Sequence, residues 1–345
     1  FKMKYKKILF IGLGGAGQRH LRVFRSLFKT NSKYYAFRKT KKTPFLNSDF
    51  TVNINKDLES EYGLKVFNNI DEAFEIKPDL TVISTPTALH KVPMFKAIDN
   101  NSDIFVEKPW AENSKKFGFF KNEIIKRNLN FHISFQRRFN PLILKTKELL
   151  ENSSIGKILF VNFNIYSDLR QWHKYEDWKQ LYAVNKNLGG GVLLTEIHEI
   201  DFIYWFFGIP NSLFAIGGNY SPYNLDVEDT VNLILNYDLF SVQLNLCFLH
   251  SDTQRNFCIT GEKGSISWND NNNELIYKVN SDSKKVYKND LTNDDMFFMQ
   301  AKRFINSWDN KQTINSLNSA EFSLKIVESA KKSMRRNKIE TIKNE

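Results

Sequence analysis

A glycine-rich turn near the start of the chain constrains the fold more than any other stretch. Gly12-Leu13-Gly14-Gly15-Ala16-Gly17 follows the apolar run Ile8-Leu9-Phe10-Ile11 and precedes Leu21, Phe24, Leu27 and Phe28, which recur at spacings of three and four. A strand that enters a tight turn and then a helix reads this way. In that setting Gly12 permits the turn, Gly14 lets the backbone approach a pyrophosphate, and Gly17 lets helix and strand close on each other. Gly15 and Ala16 open the helix, whose free amide N–H groups and dipole face the phosphates. The turn therefore predicts a dinucleotide site.

About twenty residues further on, an acidic side chain would take the ribose hydroxyls of NAD, whereas an arginine suits the 2′-phosphate of NADP. Arg38 stands there, followed by Lys39, Thr40 and Lys41. A guanidinium binds a phosphate bidentately and stacks on adenine, so NADP is favoured over NAD. A solvated basic loop in a lysine-rich chain is the alternative.

The first third alternates apolar runs with helical patterns, the mark of βαβ units and a parallel sheet. Expected strands are Ile8 to Ile11, Tyr34 to Phe37, Leu80 to Ser84, Ile104 to Val106 and Phe131 to Phe135, with helices near Asp71 to Phe74, Pro93 to Ile98 and Ser114 to Arg127. After about Arg138, longer runs at Ile158 to Tyr166, Val231 to Tyr237, Ser241 to Leu249 and Arg255 to Thr260 predict an open, largely antiparallel sheet. Asp270 to Asn273 reads as a polar turn and Ser319 to Ser333 as an amphipathic helix. The fold class is α/β: a doubly wound parallel sheet over 1–126, then an α+β domain over 127–345 with an open, mostly antiparallel sheet.

At 345 residues and 41% hydrophobic content, both domains can bury a core. The net charge of +11 invites a nucleic-acid reading, but the excess is spread along the chain. No zinc-finger spacing or basic helix with interleaved aromatics accompanies it, so neither a nucleic-acid nor a membrane partner is expected. Cys247 and Cys258 alone form no disulfide framework, which fits a cytoplasmic protein. The basic start before Ile8 superficially resembles a secretory signal, but the glycines that follow argue against one. No apolar run approaches the roughly 20 residues of a membrane helix.

Three further clusters carry chemistry. Ser84-Thr85-Pro86-Thr87 with His90 follows one expected strand and Glu107-Lys108-Pro109 another. Gly189-Gly190-Gly191-Val192-Leu193-Leu194 leads into Thr195, Glu196, Ile197, His198 and Asp201. Ligands of open α/β sheets bind beyond the carboxyl ends of the strands, so the first two clusters line the crevice of the glycine turn. Together with Gln136-Arg137-Arg138-Phe139-Asn140-Pro141, this set resembles the Gfo/Idh/MocA oxidoreductases over nearly the whole chain. The Glu-Lys-Pro motif is its most specific element.

The resemblance implies a Rossmann domain, a C-terminal domain often used to form homodimers or homotetramers through its sheet, and hydride transfer at a sugar, polyol or nucleotide-sugar hydroxyl. It implies Lys108 beside the reacting carbon, His198 as acid/base, and often a cis bond before Pro109. Thr85, Pro86, His90, Glu107 and Lys108 then join the cofactor site. The chemistry agrees: oxidising an alcohol needs a group to take its proton, as a histidine can, and an ammonium stabilises alkoxide character. The family's usual Asp four residues before the histidine is Leu194 here. If Leu193 to Phe207 is one helix, Thr195 shares a face with His198 and can hydrogen-bond a substrate hydroxyl, while Asp201 is placed to orient the imidazole.

Arg170-Gln171-Trp172-His173 with Tyr175, Asp177, Trp178 and Tyr182 mixes aromatic faces with polar groups, as sugar binding requires. Expected substrate contacts are Arg138, Trp172, Tyr175, Thr195 and His198. The mixture resembles family members of surface-polysaccharide biosynthesis. With no closely spaced Cys/His set, no metal is expected. The competing reading is a non-catalytic NAD(P)- or sugar-sensing regulator on the same fold.

Overall fold

The computed structural model describes residues 5–28, 31–40, 43–173, 175–279, 284–307 and 309–342. Lys41, part of the expected basic loop, lies outside them. The chain divides into two compact units. The first comprises Phe1–Ser134, His173–Asp177 and Phe297–Glu321, and the second the remainder. The expected division at 126/127 was a single cut. The first unit instead runs on to Ser134, because the strand at Phe131–Ser134 completes its sheet, and takes in two later segments.

Six parallel strands build the first sheet: β1 (Lys7–Ile11), β2 (Lys33–Phe37), β3 (Lys65–Phe67), β4 (Leu80–Ile83), β5 (Asp103–Glu107) and β6 (Phe131–Ser134). Their order, β3-β2-β1-β4-β5-β6, is that of a doubly wound Rossmann sheet. Helices α1 (Gly15–Phe28), α2 (Leu58–Tyr62), α3 (Ile70–Glu75), α4 (Lys91–Asp99) and α5 (Phe117–Lys126) connect them. β1, β4 and β5 are buried almost throughout, as strands covered on both faces must be.

In chain order α6 (Pro141–Glu151), α7 (Val192–Thr195) and α8 (Ile197–Phe207) follow, and then α9 (Asn293–Ser307), which the sequence reading missed. Phe297, Ala301 and Phe304 of α9 enter the first unit's core beside Ile8, Phe10, Phe24 and Phe105. Each fully buried ring stabilises by roughly 1.5–3 kcal/mol. The last helix, α10 (Asn310–Arg336), begins earlier than expected. Thr313 Oγ1 and Ser316 Oγ accept from the Phe131 and Ile133 amides at 3.3 and 2.8 Å, which satisfies the open edge of β6.

The second unit holds β7 (Ile158–Asp168), β8 (Ser212–Gly218), β9 (Thr230–Asn236), β10 (Ser241–Cys247), β11 (Leu249–Gly261), β12 (Gly264–Asn269), β13 (Glu274–Val279), β14 (Lys285–Lys288) and β15 (Glu340–Thr341). They form one nine-stranded sheet, parallel only between β7 and β10. Alternation sends Val161, Phe163 and Ile165 of β7 inward with Phe257 and Trp268. Phe202 and Phe206 of α8 pack there, at 6.4 Å from Trp268 and 6.0 Å from Phe257 between ring centroids. On the other face Asn164 bonds Asn256 and Asn245 at 3.0 and 2.8 Å. Among the described residues no helix is long and apolar enough to cross a membrane.

Candidate functional site

β1 runs into the glycine turn. Gly12 has φ +87°, and a Cβ there would lie 3.0 Å from Thr85 Cγ2 and 3.1 Å from Ser84 O. A Cβ on Gly17 would overlap the Gly12 carbonyl, so α1 reaches the strand only without a side chain at that position. Gly14 differs. A Cβ on it would meet nothing within 4 Å, so the chain's own packing does not call for glycine there. Gly15 opens α1, and Ala16, in its first turn, is half-buried. Gln18 ties the turn down: its Nε2 donates to Pro44 O at 2.7 Å and its Oε1 accepts from the Leu46 amide at 2.8 Å.

The neighbouring strands β4 and β5 end beside this turn. Past β4, Ser84 Oγ and Thr85 Oγ1 are buried and have no hydrogen-bond partner among the described residues. Pro86 precedes a 3-10 turn over Thr87–Leu89. His90 is buried, its Nδ1 2.9 Å from Pro109 O and its Nε2 2.7 Å from Thr85 O. Burial lowers its pKa, against the pull of both carbonyls. The ring thus stands between the loop after β4 and the loop after β5, and the nitrogen that carries the proton donates to one of the two carbonyls.

Glu107 closes β5, with Oε1 2.6 Å from Nε2 of fully buried His20 on α1. Burial alone would raise the Glu107 pKa, but the hydrogen bond and charge of His20, with Lys108 beside it, hold the carboxyl below its usual value. Lys108 is half-buried, and the Lys108-Pro109 bond is cis. Trp110, fully buried 4.8 Å from the Phe117 ring, pins the turn that carries Lys108. Sequence reasoning missed His20, because a lone histidine on an apolar helix face carries no signal of its partner.

Arg38 follows β2 directly. It is buried, and its Nη2 donates to Thr43 O at 2.8 Å, while Lys39 is exposed.

In the second unit the expected single helix over Leu193 to Phe207 is broken. α7 ends at Thr195, Glu196 takes φ −96° and ψ 35°, and α8 restarts at Ile197. The helical-face relation of Thr195 to His198 therefore does not hold. At the break, Glu196 Oε2 accepts from Arg255 Nη2 at 2.6 Å. Thr195 and His198 are both buried, and the His198 ring lies 5.9 Å from Phe135, edge to face.

Asp201 was expected to orient His198. It is instead gripped by Arg138, whose Nε and Nη2 donate to its two oxygens at 2.7 and 2.6 Å. The bidentate fork outcompetes a single imidazole N–H. Burial pushes the Asp201 carboxyl up to about 6 against the pull of Arg138. Arg138 also lies 4.8 Å over the Trp205 ring, which makes it a strut of this unit. Glu199, next to His198, is buried 3.2 Å from Arg255 Nε. Burial pushes its carboxyl up, Arg255 opposing.

The aromatic loop is divided between the units. Trp172, in the second, packs edge-on at 5.2 Å against Phe248. Arg170 donates to Asp168 at 2.7 Å and to Tyr223 Oη at 2.7 Å. Tyr175 belongs to the first unit, over the start of α1. Among the described residues no group of three or more His, Cys, Asp or Glu is placed to hold a metal ion.

Comparison with known proteins agrees with this framework. Residues 6–128 match the model of an oxidoreductase family with an NAD-binding Rossmann fold, and residues 143–267 match the Gfo/Idh/MocA C-terminal domain. Trans-1,2-dihydrobenzene-1,2-diol dehydrogenase of Bos taurus is 26% identical over 191 residues, covering 54% of each chain. Glucose-6-phosphate 3-dehydrogenase of Bacillus subtilis (strain 168) is 23% identical over 205 residues, covering 59% of this chain and 54% of that one. The chain spans about half the length of the curated relatives it matches. Levoglucosan dehydrogenase in complex with NADH has the same fold, with a TM-score of 0.82 at 16% identity, covering 99% of this chain and 100% of that one. With both halves matched and the fold in common, the chain belongs to the Gfo/Idh/MocA oxidoreductase family.

Proposed function

We propose that this chain transfers a hydride between a nicotinamide dinucleotide and a hydroxyl or keto carbon of a sugar, polyol or nucleotide sugar, as in surface-polysaccharide biosynthesis, with NADP preferred over NAD. One observation carries the reading. At the ends of three adjacent strands stand an unobstructed Gly14, two buried hydroxyls without partners at Ser84 and Thr85, and Lys108. Buried polar groups without a partner among the described residues suit a polar ligand.

When bound, the nicotinamide supplies the hydride acceptor or donor. The turn from Gly12 to Gly17 holds the pyrophosphate on the amides at the start of α1, with Thr85 and Pro86 alongside. Arg38 takes the 2′-phosphate. One of its five N–H donors goes to Thr43 O, and no carboxylate stands in the five residues directly after β2, although Glu59 and Asp57 lie near enough to act on Arg38. Lys39 adds positive charge nearby. His90 and Glu107 act through the positions they fix, His90 by joining the two loops and Glu107 through His20 and the Lys108 amide.

Lys108 stabilises the alkoxide oxygen as the C–H bond breaks, and His198 takes the hydroxyl proton, returning it in reduction. Thr195 and Trp172 contribute a hydroxyl and a ring face to the sugar. Relatives named for glucose 6-phosphate and dihydrodiol dehydrogenation support alcohol oxidation in this chain too. The open face of the nine-stranded sheet is the surface through which two or four copies associate, in the cytoplasm.

The test is absorbance at 340 nm with NADP+ or NAD+ and a panel of sugars, polyols and nucleotide sugars. Lys108→Met is expected to lower turnover by ~10² while leaving cofactor affinity largely intact. Unchanged turnover would remove Lys108 from the mechanism, and tight dinucleotide binding with no turnover on any substrate would favour the sensor.

A further inference from the structure

His198 is the second residue of α8, just past the break in the helix, and buried carboxylates stand on either side of it: Glu196 two positions before and Glu199 one after. Glu196 occupies the cap position of α8, where an acceptor side chain can bond the first free amides of a helix. Its carboxylate makes no such bond. One oxygen accepts from Arg255 Nη2 at 2.6 Å and the other lies 3.5 Å from Ser167 Oγ. The Glu199 carboxylate meets the same guanidinium, with Oε1 3.2 Å from Arg255 Nε. One side chain thus grips the residues that flank Ile197 and His198.

The position of Arg255 is itself fixed. It lies on β11 opposite Ile165 of β7, its carbonyl accepts from the Asp270 amide at 2.9 Å, and its side chain is buried. The nearby Arg137 donates through Nη1 to Asp270 Oδ2 at 2.9 Å. Among the described residues the guanidinium groups of Arg255 and Arg137 therefore face the carboxyl groups of Glu196, Glu199 and Asp270, all in the second unit. Burial pushes the Glu199 carboxyl up to about 7, and the two guanidinium groups oppose that shift. Away from water, a guanidinium fixes direction as well as distance, because its planar fork admits few geometries.

We infer that Arg255 is a positioning residue for His198: by gripping Glu196 and Glu199 from the sheet it fixes the first turn of α8, and with it the point from which the imidazole exchanges a proton with the substrate hydroxyl. The inference rests on the role given to His198 above. A cation that only neutralised buried carboxylates could be any cation, whereas one that sets a direction needs the fork. Lysine keeps the charge and loses the second arm, so it separates the two.

The experiment compares the full chains of wild type, Arg255→Lys and Glu199→Gln, carrying 13C-labelled histidine, by NMR of the imidazole Cε1–H groups between about pH 5 and pH 8. His198→Asn assigns the His198 signal. In Arg255→Lys that signal is expected to shift and its titration midpoint to move, while the signals of His20, His90 and His132 in the first unit stay in place. Turnover of the sugar that wild type oxidises fastest is expected to fall about ten- to a hundredfold, the scale of a misplacement of roughly 1 Å, with KM and NADPH affinity within about twofold. An unchanged His198 signal in Arg255→Lys overturns the inference, as does a shifted signal with full turnover, and either leaves the dinucleotide site and the role of His198 standing. If Arg255→Lys fails to fold, Glu199→Gln, which weakens one of the two grips, decides by the same readouts with a smaller expected loss. Unchanged turnover in His198→Asn overturns the role of His198 and this inference with it.

Discussion

His20 Nε2 lies 2.6 Å from Glu107 Oε1, and this single contact ties the helix that begins at the glycine turn to the residue before Lys108. The imidazole is fully buried and the carboxylate nearly so. Leaving one member of such a pair without the other costs far more than the intact pair contributes. His20→Leu is therefore expected to destabilise the protein by about 3 kcal/mol in urea unfolding. Glu107→Gln, which keeps a hydrogen-bonding side chain, is expected to cost less. A loss below about 1 kcal/mol in His20→Leu would mean that the contact is not structural.

Gly14 and Gly17 separate packing from binding. Gly17→Ala forces a methyl into the Gly12 carbonyl and should cost stability, by about 2 kcal/mol or more, together with dinucleotide affinity. Gly14→Ala meets no atom of the described residues within 4 Å and should leave the thermal midpoint within about 2 °C while weakening dinucleotide binding at least tenfold. Retained affinity in Gly14→Ala would place the pyrophosphate elsewhere.

Arg138 and Asp201 make a pH-dependent case. The Asp201 carboxyl, pushed up to about 6, holds its proton in the folded protein at pH values where the unfolded chain has lost it. Its ionisation therefore lowers stability as the pH rises from about 4 to about 6, above which this contribution no longer changes. Arg138→Met removes the cation that opposes this shift. The variant is expected to lose about 3 kcal/mol at pH 8 and clearly less at pH 5, where Asp201 is protonated. A loss independent of pH would show that the Asp201 charge is not what Arg138 offsets.

How far the sequence carried depended on range. The strand, turn and helix from Lys7 to Phe28 were legible because periodicity and glycine spacing lie within one short window. β3 was not, since three residues leave no alternation to read, and α9 was not, since its apolar face becomes evident only against the core that Phe297 and Phe304 complete.

The candidate site divides the same way. Gly12, Thr85, Glu107 and Lys108 sit at strand ends, where the doubly wound order makes position predictable. Pairings across the fold were out of reach. A spacing of three could not decide whether Asp201 would meet His198 or Arg138. Nothing near Glu196 announces that its side chain will meet Arg255, or that the helix will break before His198. The Tyr175 contact with Gly15 likewise joins residues 160 positions apart.

The most direct test of the central claim is calorimetric titration of nucleotide-free protein with NADPH and with NADH at one fixed salt concentration, for wild type and Arg38→Asp. Tight binding of both by wild type, with NADPH preferred and that preference lost in Arg38→Asp, is the predicted result. Failure of the wild-type protein to bind either dinucleotide would contradict it.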